Sequence, residues 1–197
     1  MLRALAVVAV TLPMGAVAGE SLFDAVTAGD TAIIERLLSN GTEVDSRDLD
    51  HATPLIAAAL SDQPAAARLL LAKGADAMAR NAGGFTPLHA AAYSGSVGVV
   101  QLLLESGAGL EDAANKAGAT PLMVAAEENR SAVIELLIRQ GADASRPEIH
   151  GYTPLTRAFW RGHKDIVRML KRQGATCQSA DVLGGEALRQ QCIEIHE

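Results

Sequence analysis

The tripeptide Thr-Pro-Leu occurs four times, at Thr53-Pro54-Leu55, Thr86-Pro87-Leu88, Thr120-Pro121-Leu122 and Thr153-Pro154-Leu155, and its spacing limits the folds open to this chain. Successive threonines are 33, 34 and 33 residues apart. A period of that size is the mark of a solenoid, in which each unit is one supersecondary element that buries its apolar face only by stacking on its neighbours. Glycines keep the same beat. Gly74, Gly107, Gly141 and Gly174 lie 21 residues after the threonines, and counting back from Gly41 reaches Glu20, so a fifth, divergent unit comes first.

Each unit reads as two helices. A Thr at the N-cap accepts from free amides of the first turn, and Pro at the first helical position surrenders an N–H that had no partner. The first helix carries Ala58-Ala59, Ala91-Ala92 or Ala125-Ala126, small side chains that let neighbouring helices approach closely. Nine residues after each start stand Gly29, Asp62, Gly95, Asn129 and Gly162, residue types that tolerate a left-handed turn. A second helix follows with apolar residues at i, i+3 and i+4, as in Val99, Leu102 and Leu103, and the repeating glycine closes it. Units are expected at about 20–50, 51–83, 84–117, 118–150 and 151–183, within a domain of 19–183. Arg36 in the first unit and Lys171 in the fifth replace apolar residues of the inner units, as polar outer faces require. Gly98 inside the third unit's second helix marks a local weak spot. Residues 184–197, with Ala187, Leu188, Cys192 and Ile193, suit a short C-terminal capping helix.

The block Thr86-Pro87-Leu88-His89-Ala90-Ala91 resembles an ankyrin repeat, and the resemblance covers nearly all of Glu20 to Gly174, strongly in the second to fifth units and weakly in the first. It implies an all-α ankyrin-repeat solenoid of about five helix-turn-helix repeats, with β-hairpin loops such as Ala75 to Phe85 projecting between repeats. It also implies that His89 and His163 hydrogen-bond within or between repeats. The implied function is non-covalent protein binding through the concave face, gripped by the residue before each Thr and by the two residues after the Ala pair. In this chain the first set is Ala52, Phe85, Ala119 and Tyr152; the second is Leu60-Ser61, Tyr93-Ser94, Glu127-Glu128 and Trp160-Arg161.

Of the six aromatic residues, four fall at those positions: Phe85, Tyr93, Tyr152 and Trp160. Aromatic and Arg side chains are the usual binding hot spots, so Phe85, Tyr93, Glu127, Glu128, Tyr152, Arg157, Trp160 and Arg161 form the candidate partner-binding set. The alternative is that the aromatics pack within the molecule, with Arg80, Asn81, Lys116, Glu148 and His150 as ordinary solvated groups. Phe23 and Phe159 read as buried.

Met1 to Ala18 stands apart. Arg3 precedes the apolar run Ala4 to Leu12, then Pro13 and Ala16-Val17-Ala18, the pattern of a cleaved signal peptide rather than of an anchor helix, which needs about 20 apolar residues. Export to a bacterial periplasm or outside the cell is expected, with no membrane attachment after cleavage. The formal net charge is −6, and loss of Arg3 leaves 16 basic against 23 acidic residues, a balance that argues against nucleic acid. Cys177 and Cys192, 15 apart in an exported chain, read as a disulfide pinning the terminal helix, with two free thiols as the alternative. The histidines show no metal-ligand spacing, and no nucleophile or phosphate-loop motif occurs, so no catalytic residue, metal or cofactor is assigned. A monomeric accessory or scaffold protein for another exported protein is expected; an inhibitor or immunity-type protein that occludes a partner enzyme is the alternative.

Overall fold

In a computed structural model, residues 21–195 are described, and they fold into stacked helix pairs. The expected signal peptide at 1–18 lies outside the described residues. The pairs are α1 (Leu22–Ala28) with α2 (Thr31–Ser39), α3 (Pro54–Leu60) with α4 (Pro64–Ala72), α5 (Pro87–Ser94) with α6 (Val97–Glu105), α7 (Pro121–Glu127) with α8 (Ser131–Arg139), and α9 (Pro154–Trp160) with α10 (Lys164–Arg172). Two terminal helices follow, α11 (Ala180–Leu183) and α12 (Glu186–Glu194). None of the described helices is long and apolar enough to cross a membrane.

The caps work as the residue types require. Thr53 Oγ1 accepts from Ile56 N at 3.3 Å, Thr120 from Met123 N at 3.3 Å and Thr153 from Thr156 N at 3.4 Å. The first unit, lacking Thr-Pro, starts on Ser21, whose Oγ accepts from Asp24 N at 3.0 Å. Between the helices of a pair, Asp62 and Asn129 adopt φ of 50° and 59°, matching the glycines that hold this site in the other units.

The core lies between the two helix rows. Ala58, Ala59, Ala91, Ala92, Ala125 and Ala126 are fully buried, and across them α3 meets α5, and α5 meets α7. Small side chains on the first helices, against Leu and Val on the second, let the first row pack more closely than the second. Phe159 occupies an alanine slot in the fifth pair, where α12 rather than another helix pair lies beside it. It is half-buried beside Leu188 of α12, and Phe23 at the opposite end is also half-buried; neither is the fully buried core residue expected.

Loops between repeats project as expected but contain no β-strand among the described residues. Three of them are closed by a backbone bond, Asp48 N to Ala52 O at 3.1 Å, Asn81 N to Phe85 O at 3.1 Å and Glu148 N to Tyr152 O at 3.0 Å, each enclosing one turn bond such as Gly84 N to Asn81 O at 2.9 Å. A side chain five residues before each Thr completes the closure. Asn81 Oδ1 accepts from Gly83 N at 3.0 Å and Phe85 N at 2.9 Å, and Asp48 and Asn115 repeat the pattern.

The polar end-face reading of Lys171 needs correction. The side chain is half-buried, because α12 covers that end and Lys171 Nζ donates to the carbonyl oxygens of Cys192 at 2.7 Å, Ile193 at 3.2 Å and Ile195 at 2.9 Å. Cys177 and Cys192 are joined by a disulfide with their Cα atoms 6.1 Å apart.

Candidate functional site

Seven residues after each Thr, the first helices present Leu60, Tyr93, Glu127 and Trp160. Stacking at a 33–34-residue period lines these side chains into a row along the first helices. Leu60 is 48% exposed, Tyr93 51% and Trp160 44%, large apolar areas that the fold itself leaves uncovered. Leu49 and Ile149, each four residues before a Thr, add exposed apolar tips on the loops. Leu49 and Ile149 carry no motif that marks them in the sequence, whereas Leu60 shares the register of Tyr93 and Trp160.

A cavity of about 360 Å³ opens in this row at the third repeat. Buried Ile56 and Ala90 form its base with half-buried Val124. Leu60 of α3, Phe85 and Tyr93 of the third repeat, and Glu127 and Glu128 of the fourth also line it. Phe85 meets His89 edge-on, with ring centroids 5.4 Å apart. His89 is buried and doubly tied. Its Nδ1 accepts from Thr86 N at 3.2 Å, while Nε2, facing Ala119 O at 2.9 Å and Asp112 O at 3.1 Å, carries the proton. The ring therefore caps α5 and braces the next loop, and burial pushes its pKa below the ordinary 6.5 against the opposing pull of those carbonyls and of Asp112. His163 Nε2, 2.9 Å from Glu127 O, makes a comparable tie between repeats.

The fifth repeat is arranged differently. Tyr152 packs edge-on against Trp160 at 4.5 Å, and the Arg157 guanidinium carbon lies 5.9 Å from the Tyr152 centroid. Arg157 Nη1 reaches Glu127 Oε2 at 3.3 Å and its Nη2 lies 3.8 Å from Glu148 Oε2, while Arg161 Nη2 donates to Glu127 Oε1 at 2.6 Å. Glu148 has a fully buried side chain. Burial opposes its charge, but hydrogen bonds from His150 Nδ1 at 2.8 Å and from the amides of His150 and Tyr152 outweigh it and hold the carboxyl below its usual range. Glu148 and His150 are therefore a loop clamp rather than ordinary solvated groups. Arg80 likewise pairs with Asp112, Nη2 to Oδ2 at 2.8 Å, across adjacent loops.

The candidate residues thus fall into two groups. Phe85, Tyr93, Glu127 and Glu128 line the cavity; Tyr152, Arg157, Trp160 and Arg161 form a cluster beside it, joined through Glu127. Among the described residues no group of three or more His, Cys, Asp or Glu is placed to hold a metal ion.

A family model described as ankyrin repeats (3 copies) matches residues 22–114 and 108–181. The chain belongs to the ankyrin-repeat family. Ankyrin repeats generally mediate protein–protein interaction, and the family is typically non-enzymatic. No curated protein matches the chain.

Proposed function

We propose that this ankyrin-repeat protein is a non-enzymatic accessory or scaffold for another exported protein, which it grips through its concave face. The reading is carried by one observation: Leu60, Tyr93 and Trp160 stand in register on the first helices, 44–51% exposed, beside an apolar cavity. Aromatic side chains left uncovered in that way supply large contact area at low conformational cost. Export rests on the pattern of Met1 to Ala18, and the Cys177–Cys192 disulfide is compatible with an oxidising compartment.

The test is capture of exported proteins on the immobilised protein, with Tyr93→Ala and Trp160→Ala in parallel. Tyr93→Ala is the cleaner probe, since Trp160 also packs on Tyr152. A partner lost on Tyr93→Ala and active while bound supports the scaffold role. A bound partner stripped of its activity assigns the occluding, inhibitor-type role instead, and capture unchanged in both variants removes the concave face from consideration.

A further inference from the structure

The third and fifth repeats share one frame and fill it differently. An aromatic residue precedes the N-cap Thr in both, Phe85 and Tyr152, and another stands seven residues after it, Tyr93 and Trp160. Between them, four residues after the Thr, the fifth repeat carries Arg157 and the third carries Ala90. In the fifth repeat the slot is occupied from within, with the Arg157 guanidinium beside the Tyr152 ring and against the carboxylates of Glu127 and Glu148. In the third repeat Ala90 leaves the slot empty, and that vacancy is the cavity of about 360 Å³.

We propose that the third-repeat cavity is a receptor for an arginine side chain of the partner protein, seated between Phe85 and Tyr93 with its guanidinium at Glu128 and Glu127. The proposal rests on the concave-face reading and names the chemistry of what that face takes. The volume lies at the low end of the range for ligand pockets, about 300–1,000 Å³, which suits one long side chain. Ile56, Leu60 and Val124 offer an apolar track for the methylene stem of an arginine, whose charged head stays at the rim. Glu127 already pairs with Arg157 and Arg161, whereas Glu128 feels Arg161 only through its charge, with no hydrogen bond or close ion pair between them, and its carboxylate is left to meet an incoming donor. A purely apolar plug would draw the Glu128 carboxylate out of water with no compensation. A guanidinium compensates it and also stacks on aromatic faces, which a compact ammonium does less well. The formal net charge of −6 steers a cationic segment toward the molecule. The match with the fifth repeat is not complete. The carboxylate that reaches Arg157 from the preceding repeat, Glu127, has Leu60 as its counterpart here, and the charge comes from the following repeat instead.

The probe is the peptide acetyl-Ala-Arg-Ala-amide, titrated into the ¹⁵N-labelled protein and followed by amide chemical shifts, beside the same peptide with citrulline, which keeps the shape and loses the charge. Saturable shifts concentrated at Ala90, Tyr93 and Glu128 are expected, with the citrulline peptide roughly tenfold weaker and Glu128→Gln weakening the arginine peptide about fivefold, the scale of one charge-assisted contact. Ala90→Arg should fill the slot from within and abolish binding; if that variant does not fold, the citrulline and Glu128→Gln comparisons decide alone. Shifts absent or scattered, or equal binding of the citrulline peptide, overturn the proposal. Free L-arginine binding as tightly as the peptide also overturns it, by assigning the pocket to a small cation. Partner capture that depends on Tyr93 but persists without arginine binding overturns the arginine assignment and leaves the concave-face reading standing.

Discussion

Lys171 Nζ donates to the main-chain oxygen of Cys192 at 2.7 Å, and so the last repeat holds the C-terminal end of the helix that covers it. The other four repeats carry half-buried Leu38, Leu71, Leu104 and Ile138 at this position. The substitution to lysine swaps a stacking contact for a cation at a helix C-terminus, where free carbonyls and the helix dipole both favour positive charge.

The lysine and the disulfide therefore hold one element together. Reduction of Cys177–Cys192, a link spanning 15 residues, should cost on the order of 3 kcal/mol of unfolding free energy. Lys171→Met keeps the stem and removes the donors, with an expected cost of about 1 kcal/mol. Urea unfolding with and without reductant measures both. Two thiols that alkylate readily in the native, unreduced protein would rule out the bond.

His89 makes stability depend on pH in a defined direction. Burial lowers its folded pKa below the unfolded value of 6.5, so between those two values the unfolded chain binds the extra proton. The contribution is fully present above pH 6.5 and is lost as pH falls toward the folded pKa. Asp112 and Glu148, whose folded pKa values are also depressed, lose theirs only below their ordinary 3.8 and 4.5, so the windows separate. Urea midpoints compared between pH 7.5 and 5.5 should fall for the native sequence and fall less for His89→Gln. An equal drop in both would remove His89 as the cause.

Gly98 in α6 is a site for stabilisation. It is exposed, and a Cβ there would meet Pro64 Cβ at 3.6 Å, an ordinary contact. Gly98→Ala should raise stability by about 1 kcal/mol, from helix propensity and a less mobile unfolded chain. A lower urea midpoint in the variant would show that the neighbouring helix resists even a methyl group.

Glu148→Ala removes the acceptor for His150 Nδ1 and Tyr152 N and the partner 3.8 Å from Arg157. Charged acceptors of this kind contribute roughly 1.5–3 kcal/mol each, and a loss of about 2 kcal/mol is expected. Loosening of Tyr152 against Trp160 should accompany it, read as a change in the fluorescence of Trp160, the sole tryptophan of the chain. Unchanged emission would mean that the ring pair holds its position without the clamp.

Residues whose role is local were legible without coordinates. Thr at the N-cap, Pro after it, and Asp62 and Asn129 in the left-handed turn act within a few residues of their own backbone, and the 33–34-residue beat repeats that local chemistry. The same beat placed Leu60, Tyr93, Glu127 and Trp160 in one row, because stacking turns equal register into spatial neighbourhood. What lies between repeats was not legible, since it depends on which side chain a neighbour happens to supply. Glu148 looks in sequence like one more solvated loop acid; only packing shows it buried under His150 and Tyr152. Phe159 looks like core, yet beside α12 it is only half-buried, and Lys171 looks like a solvated edge until α12 covers it.

The amino-acid sequence by itself determined the repeat, its helix starts and stops, and the face on which uncovered aromatics stand, because these follow from period, caps and side-chain size. Tertiary structure alone decided that the aromatics of the fifth repeat close around Arg157 while those of the third, around Ala90, leave a cavity. That difference lies in the volume and charge of one side chain relative to carboxylates on adjacent repeats, a distance relation that no spacing along the chain records.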